Sequence, residues 1–374
     1  MKKLIVTSLV FLLLFSMLTF AESNDDEEIL EGQTEAAVIL EAEEVSQPTD
    51  LFMQEQHVKL KITSGKFKGE VFELQNQLSG NLFYDIVVKS GDKVIVLIEE
   101  AEDGNANVYI SDYMRQNYAI YLGILFVLLI VVIGRKRGLK AVITLAVTLI
   151  SIIKILLPAI LKGMNPIPIT IIISISITVF TLFVISGINP KSISAILGTT
   201  GGVLIAGLLA YYIGSQVKLT GMSSEEAIML LYIPQGISFD FKGLLFSGII
   251  LGALGAVMDI GMSIASSIEE IYKVNPALTR KELFASGMNV GRDIMGTMTN
   301  TLILAYTGSS IPLLLLFMAY ETSIIKILNL DIIATEVVRS LSGSIGLVAA
   351  IPLTALISSF LLKKKTDAKY SSGE

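Results

Sequence analysis

The sequence contains no cysteine and only one histidine, His57. The lack of cysteine excludes disulfide bonds, thiolate chemistry and zinc sites built from cysteine. A single histidine cannot build a His-based metal site or a Ser-His pair by itself. The sequence also lacks a glycine-rich loop followed by Lys and Ser or Thr, so ATP-driven transport would need a separate ATPase chain. We therefore predict no cofactor and no enzyme activity, and we assign no metal.

Charged residues are scarce and unevenly placed. Only 17% of residues are charged, whereas 52% are hydrophobic. The formal net charge of −6 arises largely from residues 22–50, which hold eleven acids and no Lys or Arg. A stretch with many like charges and few aromatics is typical of a solvated, disordered linker. We interpret residues 22–55 as this linker, either a plain spacer or an ion-collecting arm, and we expect no nucleic-acid partner.

Residues 1–21 have the layout of a secretory signal peptide. Lys2 and Lys3 precede an apolar run from Leu4 to Phe15, and small residues lie at the expected cleavage positions. We expect cleavage after Ala21, with an uncleaved signal anchor as the alternative. In both cases the following residues emerge outside the cytoplasm.

Residues 56–115 contain short apolar runs in which apolar and polar residues alternate. The runs at 58–62, 71–74, 85–88 and 94–98 are separated by glycine-containing turns, as antiparallel strands are. Five short strands in about sixty residues predict a small β-barrel or sandwich, OB-like or SH3-like. This domain has no evident catalytic cluster.

Long apolar runs fill residues 116–365 and predict a polytopic bundle of about eight transmembrane helices. The runs lie at 119–134, 139–157, 167–185, 194–214, 243–267, 283–306, 311–328 and 345–362. The fold class is therefore a mainly α membrane protein with a small extracytoplasmic β-domain and a short tail at 366–374. The lipid bilayer is its first expected partner.

Basic residues set the expected orientation of the helices. Residues 135–137 follow the first run and residues 280–281 follow the fifth, so both loops should face the cytoplasm. Eight crossings from an outer start would leave Lys363, Lys364 and Lys365 outside, against the same rule. We therefore suspect that the run 311–328 is re-entrant.

A short apolar piece at 227–233, after Glu225 and Glu226, is too short to cross a bilayer. It is expected at the outer interface. An ordinary interfacial helix and a lid over an external mouth are both open readings.

Small and polar residues form a stripe along the fifth run. Gly248, Gly252, Gly255, Asp259 and Ser263 are spaced by 4, 3, 4 and 4 residues, so they share one face of a helix. Small residues let a neighbouring helix approach closely, so we predict helix packing at the three glycines. An ionisable group at the centre of a span costs at least ~2.5 kcal/mol, so Asp259 needs a partner or water. Close packing is likewise predicted along the fourth run, at Gly198 and Gly202.

The sixth run carries a second polar face. Thr279 and Glu282 form a capping box, which places the start of the helix near Arg280. Asn289, Asp293 and Asn300 then share one face, with Asp293 about 15 Å inside the bilayer, a depth similar to that of Asp259.

We predict that the two carboxylates and two carboxamides meet at one level and form an ion- or substrate-binding site. The alternative is an ion-pair network centred on Arg292 that locks the bundle. Glu321, near the middle of the seventh run, is a lesser candidate.

Two long blocks in this part of the chain carry a family resemblance. Residues 252–260 read GALGAVMDI and residues 286–301 read SGMNVGRDIMGTMTNT. These blocks closely resemble the YibE/F family of bacterial multi-pass membrane proteins. The resemblance covers the whole membrane part and extends to an outer N-terminal segment. It implies a bacterial cytoplasmic membrane protein, but it supplies no established catalytic residue.

Three functions are compatible with these residues. The first is a secondary transporter or permease for a small solute or ion, in which Asp259 and Asp293 bind a proton or small cation. The second is a non-transporting scaffold or accessory subunit that binds envelope proteins or a second copy of the chain. The third is an intramembrane aspartyl protease, which Arg292 disfavours because it would keep Asp293 ionised.

Overall fold

The computed structural model describes residues 33–43, 54–81, 85–100, 106–233, 236–320 and 323–371. The predicted signal peptide and Glu321 lie outside the described residues. The chain divides into two compact units, a β unit that ends at Leu129 and a helical unit that begins at Ile130.

The β unit is a single five-stranded antiparallel sheet. Its strand order is β3-β2-β1-β4-β5. The edge strands β3 and β5 also contact each other, so the sheet is nearly closed into a barrel. The strands are β1 (Gln33–Ala42), β2 (Gln54–Ile62), β3 (Val71–Leu78), β4 (Lys93–Glu100) and β5 (Ala106–Tyr113).

The position of β1 corrects the predicted linker. Its residues, Gln33–Ala42, lie inside the range 22–55, yet they form the central strand and pair with both β2 and β4. Ala37 and Ile39 of this strand are fully buried. The acidic composition of the wider stretch conceals a five-residue apolar run at 36–40, and apolar residues of this run fill the core.

The run 85–88 is also not a strand, although the sequence predicted one. Its backbone groups are bonded by side chains instead of by a neighbouring strand. The buried amide of Gln56 donates to Val88 O at 2.7 Å and accepts from Val88 N at 3.2 Å. Asn76 donates to Ile86 O at 2.7 Å, and the Tyr113 hydroxyl donates to Val87 O. These bonds satisfy backbone groups that would otherwise be buried without partners.

We predict that Gln56→Leu destabilises the β unit, because leucine leaves the amide and carbonyl of Val88 unbonded in the core. The expected loss is about 1 to 3 kcal/mol in the free energy of unfolding. Thermal melting of a fragment covering residues 33–115, followed by circular dichroism, measures it. Gln75→Leu is the matched control, because Gln75 lies opposite His57 on β3 and is exposed. Equal melting of the two variants would contradict the role given to Gln56.

The rest of the chain is helical. Pro166, Pro190 and the capping residues Asn165, Asn189 and Asp240 fix the starts of three helices. The helices are α1 (Gln116–Ser151), continued by a π-helical turn (Ile152–Leu156) and α2 (Leu157–Leu161), then α3 (Pro166–Ser186), α4 (Pro190–Gln216), α5 (Glu225–Met229), α6 (Phe241–Val274), α7 (Arg280–Ser309), α8 (Ile311–Ala319), α9 (Ile324–Leu328) and α10 (Asp331–Ser371).

Five helices among the described residues are long and apolar enough to cross a membrane. A sixth is obtained if α7 and α8, which are bent by 60° to each other, count as one broken span. The expected number of eight is therefore not reached by this measure. The five are 116–161, α3, α4, α6 and residues 331–363 of α10.

The first two predicted spans fall in one helical stretch that is sharply broken. Arg135 has φ 49° and ψ −127°, which are not helical values. A side chain at Gly138 would collide with the carbonyl of Ile130. In a straight helix these two residues would be about 12 Å apart, so the chain turns back on itself at Arg135. The basic turn predicted from residues 135–137 thus lies at this break.

The run 311–328, predicted as a seventh span and suspected to be re-entrant, does not cross as one helix. It contains α8 and α9, which have nine and five residues. Nine helical residues span only about 14 Å, less than half of a hydrocarbon core about 30 Å thick.

The core of the helical unit lies where α4, α6 and α10 cross. Gly202 permits this crossing, because a methyl group added to it would lie 2.7 Å from Gly346 O and 2.9 Å from a methyl group of Val257. A methyl group added to Gly198 would collide with the side chain of Thr354 on α10. These two glycines occupy the close-packed positions that the sequence assigned to them.

One end of the helical unit gathers basic residues. Lys191 forms an ion pair with Glu269 at 3.0 Å, which brings the start of α4 to the end of α6. Lys363, near the end of α10, donates to Pro276 O at 3.0 Å in the loop between α6 and α7. Lys363 therefore lies at the same end as the basic α6–α7 loop. From an outer start, an odd number of crossings would place Lys363 inside and would remove the conflict with the positive-inside rule.

We predict that Gly202→Ala lowers the thermal stability of the purified protein, because the added methyl group meets the backbone oxygen of Gly346, which cannot move aside. Overpacking of this kind costs about 1 to 3 kcal/mol. Gly255→Ala is the control, since no atom lies within 4 Å of its added methyl group. Both changes raise helix propensity by about 1 kcal/mol, so only packing separates them. Equal melting temperatures would contradict the close crossing.

Candidate functional site

The stripe on α6 lies on an exposed side of the helical unit. Gly248, Gly252, Gly255, Asp259 and Ser263 are all exposed, whereas residues on the opposite side of α6 are buried among α4 and α10. The alternation follows the helical period, because the five residues share one face. The structure therefore presents this face outward from the helix core.

Two of the three glycines of this stripe, Gly248 and Gly255, do not serve as a helix contact, contrary to the sequence prediction. A methyl group added to Gly248 or Gly255 would meet no atom within 4 Å. At Gly252 the nearest atom is the Tyr306 hydroxyl oxygen, at 2.5 Å from such a methyl group. Tyr306, near the end of α7, is a neighbour of the stripe that sequence reasoning missed. Nothing in its local sequence marks it, since it simply ends an apolar run.

A cavity of about 320 Å³ adjoins the stripe. Gly255 and Met258 of α6 line it, and Met258 directly precedes Asp259. On its other sides lie the second part of α1 and α3, which contribute three threonines: Thr144, Thr148 and Thr181. The hydroxyls of Thr144 and Thr148 donate to carbonyls of their own helix. The cavity is therefore mainly apolar, with hydroxyl groups on its walls.

Asp259 has no hydrogen-bond or ion-pair partner in the part of the chain that the structure describes. Its exposed position means that neither α4 nor α10 covers the carboxylate. A carboxylate held within an apolar helix without a partner requires water or a bound cation. The stripe at Asp259 is therefore not a dry contact between two helices.

The polar face of α7 points in a different direction from the stripe of α6. The predicted capping box is present, with Thr279 and Glu282 bonding each other's backbone amides. Gly287 packs against Ile268 of α6, and Gly291 contacts Ile264 of α6 and Ile351 of α10. Residues two positions further along a helix lie about 200° around its axis. Asn289 and Asp293 therefore face away from α6.

The structure consequently does not bring Asp259 and Asp293 together. The expectation that the two antiparallel helices would join both carboxylates at one site is wrong, because the glycine side of α7 makes the contact with α6. The exposed residues on the outward face of α7 are Asn289, Arg292, Asp293, Gly296, Thr297 and Asn300.

The alternative ion-pair network centred on Arg292 is also not formed. Its guanidinium donates to Asn289 Oδ1 at 3.0 Å and has no carboxylate within ion-pair distance among the described residues. Asp293 likewise has no partner in the described chain. The charges on α7 are adjacent along the helix but are not paired with each other.

A second cavity, of about 540 Å³, lies at the end of the helical unit opposite the basic loops. The short helix α5, at the piece considered as a lid, contributes Glu226 and Ala227 to its lining. On α10, Glu336 and Arg339 also line it and form an ion pair at 3.0 Å. The Arg339 guanidinium lies 6.0 Å from the centre of the Tyr306 ring. Tyr306 therefore lies between this cavity and the stripe at Gly252.

The chain has a nearly closed β-sheet unit followed by a unit of helices that are long and apolar enough to cross a membrane. The YibE/F family N-terminal domain matches residues 33–113, and the YibE/F-like protein family matches residues 122–364. The chain belongs to the YibE/F family. The N-terminal match begins at β1, as the observed sheet does. No curated protein and no solved structure gives a match to the chain.

Proposed function

We propose that this protein is a permease of the bacterial cytoplasmic membrane that moves a proton or a small cation along the exposed face of α6. Asp259 is the cation-binding carboxylate. The observation that carries the proposal is that this carboxylate is exposed and unpartnered on a helix long and apolar enough to cross a membrane. An uncompensated carboxylate in lipid costs at least ~2.5 kcal/mol, whereas water or a passing cation removes this cost.

The surroundings of Asp259 favour an open conduction path for a cation over a closed binding site. Gly248 and Gly255 leave open space along the helix, and Ser263 adds a hydroxyl one turn beyond the carboxylate. The 320 Å³ cavity adjoins the stripe at Gly255, and the 540 Å³ cavity at the other end provides a vestibule. Tyr306 lies between the 540 Å³ cavity and the stripe, and it can obstruct or admit the cation at Gly252.

We propose seven membrane crossings, with the β unit outside the cytoplasm and the C-terminal end of α10 inside. The two arms of α1 on either side of Arg135 have about 19 and 26 residues up to the end of α2, and each is long enough to span. Counting them separately, with α3, α4, α6, α7 and α10, places both the Arg135 turn and Lys363 on the cytoplasmic side. The β unit and the vestibule are then extracytoplasmic.

Asp293 contributes less to the cation site than the sequence suggested. It faces away from α6, and the neighbouring positive charge of Arg292 repels a cation. Asn289, which accepts a hydrogen bond from Arg292, is likewise engaged on the other face. We therefore assign cation binding to Asp259 alone and propose no cation site on the polar face of α7.

We predict that Asp259→Asn abolishes proton or cation flux while the protein stays folded. Asparagine keeps the shape of the side chain but removes the negative charge that a cation needs. The measurement is flux in proteoliposomes, with melting of the same preparation. Asp259→Glu is the matched variant and should retain flux, because it keeps the charge.

An Asp259→Asn protein that is stable and shows unchanged flux would exclude Asp259 as the cation site. A protein that loses stability instead would indicate a structural partner for this carboxylate, and the permease proposal would fail at this residue.

A further inference from the structure

The outward face of α7 combines charge, amides and small residues over several turns. Asn289, Gly296 and Asn300 follow one line along the helix, since Gly296 and Asn300 each lie within about 20° of Asn289 around the axis. Arg292 lies about 60° to one side of this line, and Asp293 lies about 40° to the other side. All five residues are exposed.

This face cannot lie against lipid. Arg and Asp near the middle of a span each cost about 2.5 to 3.5 kcal/mol. Within the described chain, Arg292 has only Asn289 as a partner and Asp293 has none. A partner that covers the face must therefore supply a carboxylate on the side of Arg292 and a cation on the side of Asp293.

We propose that a second copy of this chain covers the face, so that α7 of one subunit packs in parallel against α7 of the other. Two copies inserted in the same orientation are related by a twofold axis along the membrane normal. Across such an axis, a residue on one side of the contact line meets a residue on the opposite side in the partner copy.

This symmetry makes the face complementary to itself. Arg292 of each copy meets Asp293 of the other, and both pairs form together because the two residues differ in depth by only about 1.5 Å. The contact line also permits close approach, since a methyl group added to Gly296 would meet no atom within 4 Å in the single chain. The site at Arg292 and Asp293 is thus incomplete until the second copy completes it.

The absence of native cysteine gives a direct test. Gly296→Cys places one thiol per subunit on the contact line. Mild oxidation of native membranes should link two copies, because a disulfide needs Cα atoms about 4.4 to 6.8 Å apart. Thr301→Cys is the control on the same helix, exposed but about 140° around the axis from Gly296. It should give no linked dimer.

Two charge variants test the pairing itself in the Gly296→Cys background. Arg292→Asp and Asp293→Arg each place like charges across the axis, so each alone should lose the linked dimer. When the two variants carry different tags and are produced together, opposite charges meet again. Linked mixed dimers should then be recovered.

Linking of Gly296→Cys no stronger than that of Thr301→Cys would overturn the proposal, as would attachment to a different protein. Failure of the mixed pair to link, with both variants present in the membrane, would also overturn it. The outcome is separate from the permease proposal, because Asp259→Asn is expected to leave the Gly296→Cys crosslink intact.

Discussion

A polar side chain inside a bilayer has three stable environments: a hydrogen-bond partner on its own helix, an opposite charge, or water. The helical unit uses the first for hydroxyl groups, as when Thr178 donates to Ser174 O and Ser194 donates to Pro190 O. It uses the second near its ends, where Lys191 pairs with Glu269 and Arg339 pairs with Glu336. Within the described chain, Asp259 and Asp293 have neither kind of partner, and Arg292 has a hydrogen bond to Asn289 but no opposite charge.

The exposed faces of α6 and α7 differ in the charges that they carry. The face of α6 has a single negative charge among glycines and beside a cavity, and no opposite charge in the described chain complements it, as the proposed cation site requires. The face of α7 has adjacent charges of opposite sign, so a second identical face would complement both, as proposed above. Gly287 and Gly291 separate the two faces, because they allow α7 to pack closely against α6 and α10 and turn its polar side outward.

Sequence periodicity predicted which residues share a helix face but not which neighbour each face meets. The stripe on α6 and the polar face of α7 both exist, and the capping box at Thr279 is present. Their separation depends on where α7 crosses α6, which is decided by long-range packing at Gly287 and Gly291. Glycine spacing alone was equally ambiguous, because Gly202 marks a close crossing whereas Gly255 faces open space.

In the β unit, too, the sequence pattern missed one strand and predicted another that does not form. Alternation located β2, β3 and β4, but composition averaged over residues 22–50 concealed β1, whose apolar run at 36–40 was a usable signal. The run 85–88 has the alternation of a strand, yet the amides of Gln56 and Asn76 bond its backbone. Sequence alternation cannot distinguish a strand from an extended segment that is held by side chains.

If Asp259 binds a cation, the face around it must contact water inside the membrane. The most direct measurement is labelling of single cysteines by a charged, membrane-impermeant thiol reagent in the cysteine-free chain. Gly255→Cys and Ser263→Cys flank Asp259, and Leu208→Cys provides a control, since Leu208 is an exposed apolar residue of α4. We expect labelling at Gly255 and Ser263 but not at Leu208. If all three positions resist the reagent, the face meets lipid or protein, and the account is contradicted.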